Sequence, residues 1–253
     1  MKNFWFQTKM NATRLIKRDV KTFFFALFFP LFFYILYTRI FVFDMPEDDL
    51  VVWQTDYMIS MILFGSLFTS VITQANTLLE DYTNHFQLFV YLTPTSKWRY
   101  FLSVNAVYVP INLGLIVALG TLAYFVNGVS LSLIQWLVLV IIVVFGTVSF
   151  SLLGIITSYG RKTTLVNLIG NLLVFPLAIG GGLWWPLEMM PSWVVSIGER
   201  LVTHQLLTLS TNWVYSSEIR LSSIAGIMLW ILGLVTVIIV LQKLFKYRES
   251  EVT

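Results

Sequence analysis

Apolar residues along this chain fall in long unbroken runs rather than in alternation. Six runs come near the length that crosses hydrocarbon, about 20 residues. They are roughly Thr22–Phe43, Asp56–Leu78, Tyr100–Val126, Leu131–Ser158, Thr164–Leu183 and Leu221–Phe245. Such runs predict transmembrane helices, because a helix satisfies its own backbone polar groups where no water can. Pro30 lies inside the first run, and Arg39 near its far end can snorkel to the interface. An acidic loop, Asp44 to Asp49, separates the first run from the second. Asn127-Gly128 is a turn signal after the third, and Tyr159-Gly160-Arg161-Lys162 interrupts after the fourth.

Two stretches break this pattern. After the fifth run the chain reads Gly180-Gly181-Gly182, then Leu183-Trp184-Trp185-Pro186-Leu187-Glu188-Met189-Met190-Pro191-Ser192-Trp193. Pro186 and Pro191 forbid one continuous helix, since each lacks an amide hydrogen and clashes with the preceding turn. Trp184, Trp185 and Trp193 suit the headgroup level, where an amphipathic ring has one wet end and one oily end. The segment is expected to enter the outer interface as short broken helices and return on the same side; an ordinary aromatic-rich loop is the alternative. The second stretch runs from Glu80 to Leu92, after the second run. Phe86, Phe89 and Val90 fall at i, i+3 and i+4 on one face of a short helix, and Pro94 stops it. That apolar face needs a partner, either the lipid surface or a soluble protein.

The opening segment, 1–21, carries Lys2, Lys9, Arg14, Lys17, Arg18 and Lys21 among Phe4, Trp5, Phe6, Met10, Leu15 and Ile16. Arg14, Arg18 and Lys21 share a helical face, while Lys17 interrupts the apolar side. It reads as an interfacial helix on an anionic surface, or as a basic flank that fixes orientation.

Composition agrees with the runs. Of 253 residues 57% are apolar and only 11% charged, with a mean hydropathy of +0.80. This is a polytopic membrane protein. The chain has no cysteine, hence no disulfide framework and no thiolate metal site. His85 and His204 stand too far apart for an HExxH zinc site. No cleavable signal peptide is evident, because the first apolar run is too long for a signal core and lacks a small-residue cleavage site.

The net charge of +3 matters less than its placement. Segments 1–21, 79–99, 159–163 and 243–253 hold all of the 16 basic residues except Arg39, Arg200 and Arg220. The positive-inside rule makes those segments cytoplasmic. Both chain ends are then cytoplasmic, and 184–220 must lie outside or dip in and return. The expected fold is an all-α membrane protein of six transmembrane helices. It forms a single permease domain over 1–253, made of the interfacial helix (1–21), a six-span bundle (22–245) and a cytoplasmic tail (246–253).

The chemistry is mostly exclusion. Gly160-Arg161-Lys162-Thr163 lacks the spacing and the preceding strand of a phosphate-binding loop. There is no GxSxG nucleophile elbow. Asp56, Glu80 and Asp81 sit near the ends of runs rather than mid-membrane, where a coupled-ion carrier places ionisable groups. An energy source must come from elsewhere.

The acidic-flanked segment ending in Leu92-Thr93-Pro94-Thr95-Ser96, and the Phe175-Pro176, Gly-Gly, Trp-Trp-Pro-Leu-Glu-Met-Met-Pro-Ser-Trp series, together resemble the membrane subunit of the type-2 ABC exporters. That bacterial family includes drug, antimicrobial-peptide and polysaccharide exporters, and the likeness covers nearly the whole chain. The family's usual proline near Leu201–Leu206 is missing, with Val202-Thr203-His204 in its place. The resemblance implies a permease in a bacterial cytoplasmic membrane that dimerises, as a homodimer or a heterodimer, and binds two copies of an ABC ATPase. It implies no cofactor on this chain, ATP and Mg on the ATPase, contact with lipid, and no nucleic acid. Glu80–Leu92 would be the coupling helix, with Tyr82, Phe86 and Phe89 as knobs in an ATPase groove and Glu80 and Asp81 pairing at its rim; His85 belongs to the same surface. An amphipathic substrate would pass between protomers along the first, second and fifth spans. The outer gate would comprise Gly180, Gly181, Gly182, Trp184, Trp185, Pro186, Glu188, Pro191 and Trp193. Pro30, Pro176 and the three glycines are places where spans can bend.

Two other functions are compatible with the residues. One is an immunity or sensor protein that sequesters a toxic peptide at the Trp-rich face without transport. The other is an intramembrane enzyme using His204 with Glu199 or Glu188.

Overall fold

The computed structural model describes Thr8 and residues 20–41, 46–86 and 97–250. Helix α1 (Val20–Ile35) contains Pro30 and runs on through a π-helical turn, Leu36–Ile40. Helix α2 (Glu47–Phe68) passes through a π-helical segment, Thr69–Thr73, into α3 (Gln74–Thr83). Then come α4 (Lys97–Asn127), α5 (Leu133–Ser158) and α6 (Thr163–Gly180). A 3-10 turn at Leu187–Met189, α7 (Ser192–Gly198) and α8 (Val202–Ser216) precede α9 (Leu221–Ser250). No strand occurs among the described residues.

Five helices are long and apolar enough to cross a bilayer: Asp49–Thr83, Trp98–Asn127, Leu133–Ser158, Thr163–Gly180 and Leu221–Leu244. Leu27–Ile40 is a shorter apolar helix. The protein is thus all-helical in its described part and crosses the membrane several times. The interfacial helix expected over 1–21 lies outside the described residues, except for Thr8 and the start of α1. So do residues 87–96, which include Phe89 and Leu92.

Several boundaries differ from the apolar runs for local reasons. Glu47, Asp48 and Asp49 are the first turn of α2 rather than part of a loop. Acidic residues suit that position because unpaired amides and the helix dipole favour negative charge there. Pro46 precedes them, and its fixed φ starts the helix cleanly. At the start of α5, Ser132 and Gln135 form a capping box, with Gln135 N donating to Ser132 Oγ and Ser132 N to Gln135 Oε1.

Helix α2 occupies the centre, packed against α1, α4, α5 and α8. The α2–α3 span is the least apolar of the five yet 89% of its most apolar stretch is buried, whereas α9 is the most apolar and 17% buried. The two facts have one cause. A face turned to lipid must be apolar, while a helix surrounded by protein can carry polar groups if they find partners. Helix α3 finds them on three neighbours: Gln74 Nε2 donates to Ser151 Oγ on α5 (2.7 Å), Asn76 Nδ2 to Asn167 Oδ1 on α6 (2.9 Å), and Thr77 pairs with the Tyr108 hydroxyl on α4 (2.8 Å). Beside the π segment, Gly154 of α5 lies so close to the Ser70 carbonyl that a Cβ there would collide with it. Small residues at crossings let membrane helices approach this closely.

The helix ends gather at two poles. At one, Asn127 Nδ2 donates to Tyr34 Oη and Thr38 Oγ1, the Tyr215 hydroxyl to the Val52 carbonyl, and Gln135 Nε2 to the Val214 carbonyl. At the other, the Tyr100 hydroxyl donates to Asp81 and the Arg161 guanidinium lies 5.1 Å over the Tyr82 ring. These are called below the hairpin pole and the basic pole.

Candidate functional site: a hairpin cavity and a basic-pole turn

At the hairpin pole, α6 stops where the three glycines begin. Gly181 and Gly182 amides close the helix on the Leu177 and Ile179 carbonyls, and Gly182 takes φ +81°, a conformation open to glycine. Gly181 also lacks a Cβ for a second reason, because one would strike the Thr203 side chain. Thr203, fully buried, donates to the Leu177 carbonyl at 2.6 Å, which pins the start of α8 to the last turns of α6. Leu206, one turn on, packs against Gly146 about halfway along α5. The Trp230 indole donates to the Arg200 carbonyl (2.8 Å), fixing the α7–α8 turn against α9. From there α8 returns to the pole, where its last turn meets α2 and α5 through Tyr215 and Val214.

The tryptophans divide in a way that composition does not reveal. Trp184 turns inward, its ring 5.3–5.8 Å from Phe33, Phe64 and Phe175, joining α1, α2 and α6 in one aromatic cluster. The sequence suggests a headgroup-level ring at Trp184; what the structure adds is its packing, edge-on to Phe64 and Phe175 and tilted against Phe33. Trp185 is partly exposed and meets Tyr37, whereas Trp193 is well exposed. Leu187 is buried against Gly182 and Gly198, and Glu188 is exposed beside it. Pro186 and Pro191 each sit immediately before a short helix.

Between α2, the Gly182–Glu188 loop and α8 lies a cavity of about 430 Å³. Trp53, Asp56, Tyr57 and Ser60 line it from α2; His204, Thr208 and Thr211 from α8; Glu188, Glu199 and Arg220 from the connecting segments. His204 Nε2 pairs with Thr208 Oγ1 at 3.2 Å. Burial lowers the His204 pKa, with Arg220 pushing the same way and the carboxylates of Glu199 and Glu188 opposing it. The imidazole is therefore neutral at neutral pH. Among the described residues no three of His, Asp and Glu come together in a form that could hold a metal ion. The sequence singles out Asp56 and His204 as ionisable residues, but not Trp53, Tyr57 and Ser60 of α2 or Thr208 and Thr211 of α8. Their signal was present, though: Asp56 and Ser60, and His204, Thr208, Thr211 and Tyr215, repeat at helical spacing on otherwise apolar helices.

At the basic pole, Glu80, Asp81 and Tyr82 belong to the tail of the long α2–α3 helix and not to the start of a separate one. The helix ends at Asn84-His85, with His85 in a left-handed conformation (φ 58°). Asp81 is 1% exposed and accepts from the Tyr100 hydroxyl at 2.6 Å, so its carboxylate is engaged within the chain. Tyr82 is exposed beneath Arg161, Glu80 and His85 are exposed, and Phe86 is half-buried against the core. Nearby, burial raises the Tyr159 pKa, with Gln242 and Arg161 opposing it, so the phenol stays neutral.

Five long apolar helices, with two short helices and a polar cavity at one pole and a polar turn at the other, describe a multi-pass membrane protein. The family model described as "ABC-2 type transporter" matches residues 3–199, and the chain belongs to that family. It is also 27% identical over 179 residues to "Putative transport permease YvfS" of Bacillus subtilis (strain 168), covering 71% of this chain and 72% of that protein.

Proposed function

We propose that this chain is the permease subunit of an ATP-driven exporter of amphipathic molecules, working as a dimer with two ABC ATPase subunits that hold ATP and Mg. The observation that carries the reading is the family match over residues 3–199. Helix α1 with its π extension is the sixth span, both termini are cytoplasmic, and the basic pole faces the ATPase in a bacterial cytoplasmic membrane. The surface formed by Glu80, Tyr82, His85 and Phe86 is the docking surface, with Phe89, outside the described residues, as a further anchor; Asp81 holds it to α4. The segment from Gly180 to Ser216 is a re-entrant hairpin that closes the path on the outer side.

Contact between Arg161 and Tyr82 supports a mechanical link in this reading, because it ties the α5–α6 turn to the tail of the second span. Movement at the docking surface reaches α6, and α6 carries the hairpin through Thr203. The test is capture of the tagged chain from its native membrane, with identification and ATPase assay of what comes with it. An ABC ATPase in equal copy number is expected. A chain that arrives with no nucleotide-hydrolysing subunit contradicts the proposal.

A further inference from the structure

The hairpin-pole cavity has the composition of a receptor for one kind of group. At about 430 Å³ it has room for the charged end of a small molecule. Its titratable lining is three carboxylates, Asp56, Glu188 and Glu199, against the single guanidinium of Arg220 and the imidazole of His204. No ion pair joins these groups among the described residues. Asp56 Oδ1 is buried and has no hydrogen-bond partner there. Ser60, one turn along the same face of α2, is 5% exposed, lines the cavity and makes no hydrogen bond within the described residues. A buried serine normally returns its hydrogen bond to the preceding turn or to a neighbour. Here an oxygen acceptor and a hydroxyl are both left for something that occupies the space.

The remaining wall is aromatic. Trp53 stacks on Tyr57 (5.4 Å between centroids), Trp184 and Trp185 meet at 6.0 Å, and Tyr37 touches both Tyr57 and Trp185. Tyr215 engages the Asp56 side chain but leaves Oδ1 open, and indole faces beside that oxygen and the neighbouring carboxylates attract an organic ammonium twice over, through the ring quadrupoles and through charge. A metal ion would want converging oxygen ligands, which this wide aromatic pocket lacks. An anion would meet three carboxylates and one arginine.

We propose that this cavity binds an organic ammonium group, with Asp56 as the counter-ion, Ser60 as a hydrogen-bond partner and the tryptophans as flanking faces. The group is either the charged end of a cationic cargo or the headgroup of a choline-type phospholipid. Its transport meaning rests on the permease reading above; the binding itself does not.

The experiment uses the full-length chain purified in a maltoside detergent, with ethidium as the probe and fluorescence anisotropy as the readout. Saturable binding displaced by tetraethylammonium is expected, and Asp56→Asn should weaken it about tenfold or more. Trp185→Ala, at a partly exposed ring, should weaken it severalfold while leaving the protein monodisperse, so the test survives if Asp56→Asn does not fold. Trp98→Ala, an exposed ring near Tyr100 of the basic pole and outside the cavity lining, should leave affinity unchanged. Displacement by phosphocholine identifies the headgroup as a natural occupant; its failure to compete identifies cationic cargo. Absence of saturable binding overturns the proposal, as does binding that ignores both Asp56→Asn and Trp185→Ala. Either failure leaves ATPase capture unaffected, so the two readings fall separately.

Discussion

The hydroxyl of Thr203 donates to the carbonyl of Leu177 at 2.6 Å, and this bond joins the hairpin to the fifth apolar run. The same carbonyl also accepts from the Gly181 amide at 3.1 Å, so it closes the helix and holds the hairpin at once, while the bond that Pro176 cannot make is lost one turn earlier, at Leu172. Thr203→Val keeps the shape and removes the donor, which should cost about 1 kcal/mol. The check is thermal unfolding of the detergent-solubilised protein, with a fall in Tm of a few degrees. An unchanged Tm would show that the hairpin is held by packing alone.

Gly154 abuts the Ser70 carbonyl at the π-helical segment of the second span. Gly154→Ala should force the two helices apart and cost about 1–3 kcal/mol. Gly233, whose Cβ would meet open space, is the matched control. The expected result is a lower yield of monodisperse protein for Gly154→Ala and an unaltered yield for Gly233→Ala.

Neutral His204 gives the hairpin a pH dependence. Burial lowers its pKa in the folded chain, whereas in the unfolded chain it titrates near about 6.5. The unfolded state therefore binds the extra proton first as pH falls. The contribution is fully present above about pH 6.5 and is lost as pH drops toward the folded pKa. Carboxylates titrate in the acid range too, so the measurement is the difference between wild type and His204→Gln. Wild type should lose more Tm between about pH 7.5 and about pH 5.5, a range that brackets the unfolded histidine pKa.

Phe86 is half-buried against the core, and Phe89 follows on the proposed docking surface. Phe86→Ala with Phe89→Ala should abolish co-purification of the ATPase while membrane insertion persists. Phe89→Ala alone should weaken the association without touching Tm. Full retention of the ATPase by the double variant would move the docking surface elsewhere.

Five of the six expected spans appear as helices long and apolar enough to cross a bilayer, because crossing hydrocarbon imposes a length and a composition that few other structures share; the first run gives the shorter apolar helix Leu27–Ile40. The glycine-proline punctuation of the hairpin was legible for a similar reason, since backbone rules act locally. What could not be read depends on which way a side chain turns in three dimensions. Trp184 and Trp185 are adjacent in sequence, yet one sits in a cluster of three phenylalanine rings while the other reaches toward Tyr37. Asp81 resembled a surface charge next to Glu80, but Tyr100, from the following helix, draws it inside. The π segment at Thr69–Thr73 has no composition of its own in the sequence, and the close approach of Gly154 on α5 to it is visible only in three dimensions.

Reconstitution tests the central claim most directly. The chain and its ABC ATPase are placed in liposomes, and ATP-dependent movement of a fluorescent amphipathic cation is followed. Movement that needs both subunits and stops when the ATPase cannot hydrolyse ATP is the result this account predicts. Movement by the chain alone, or none with an active ATPase bound, would contradict it.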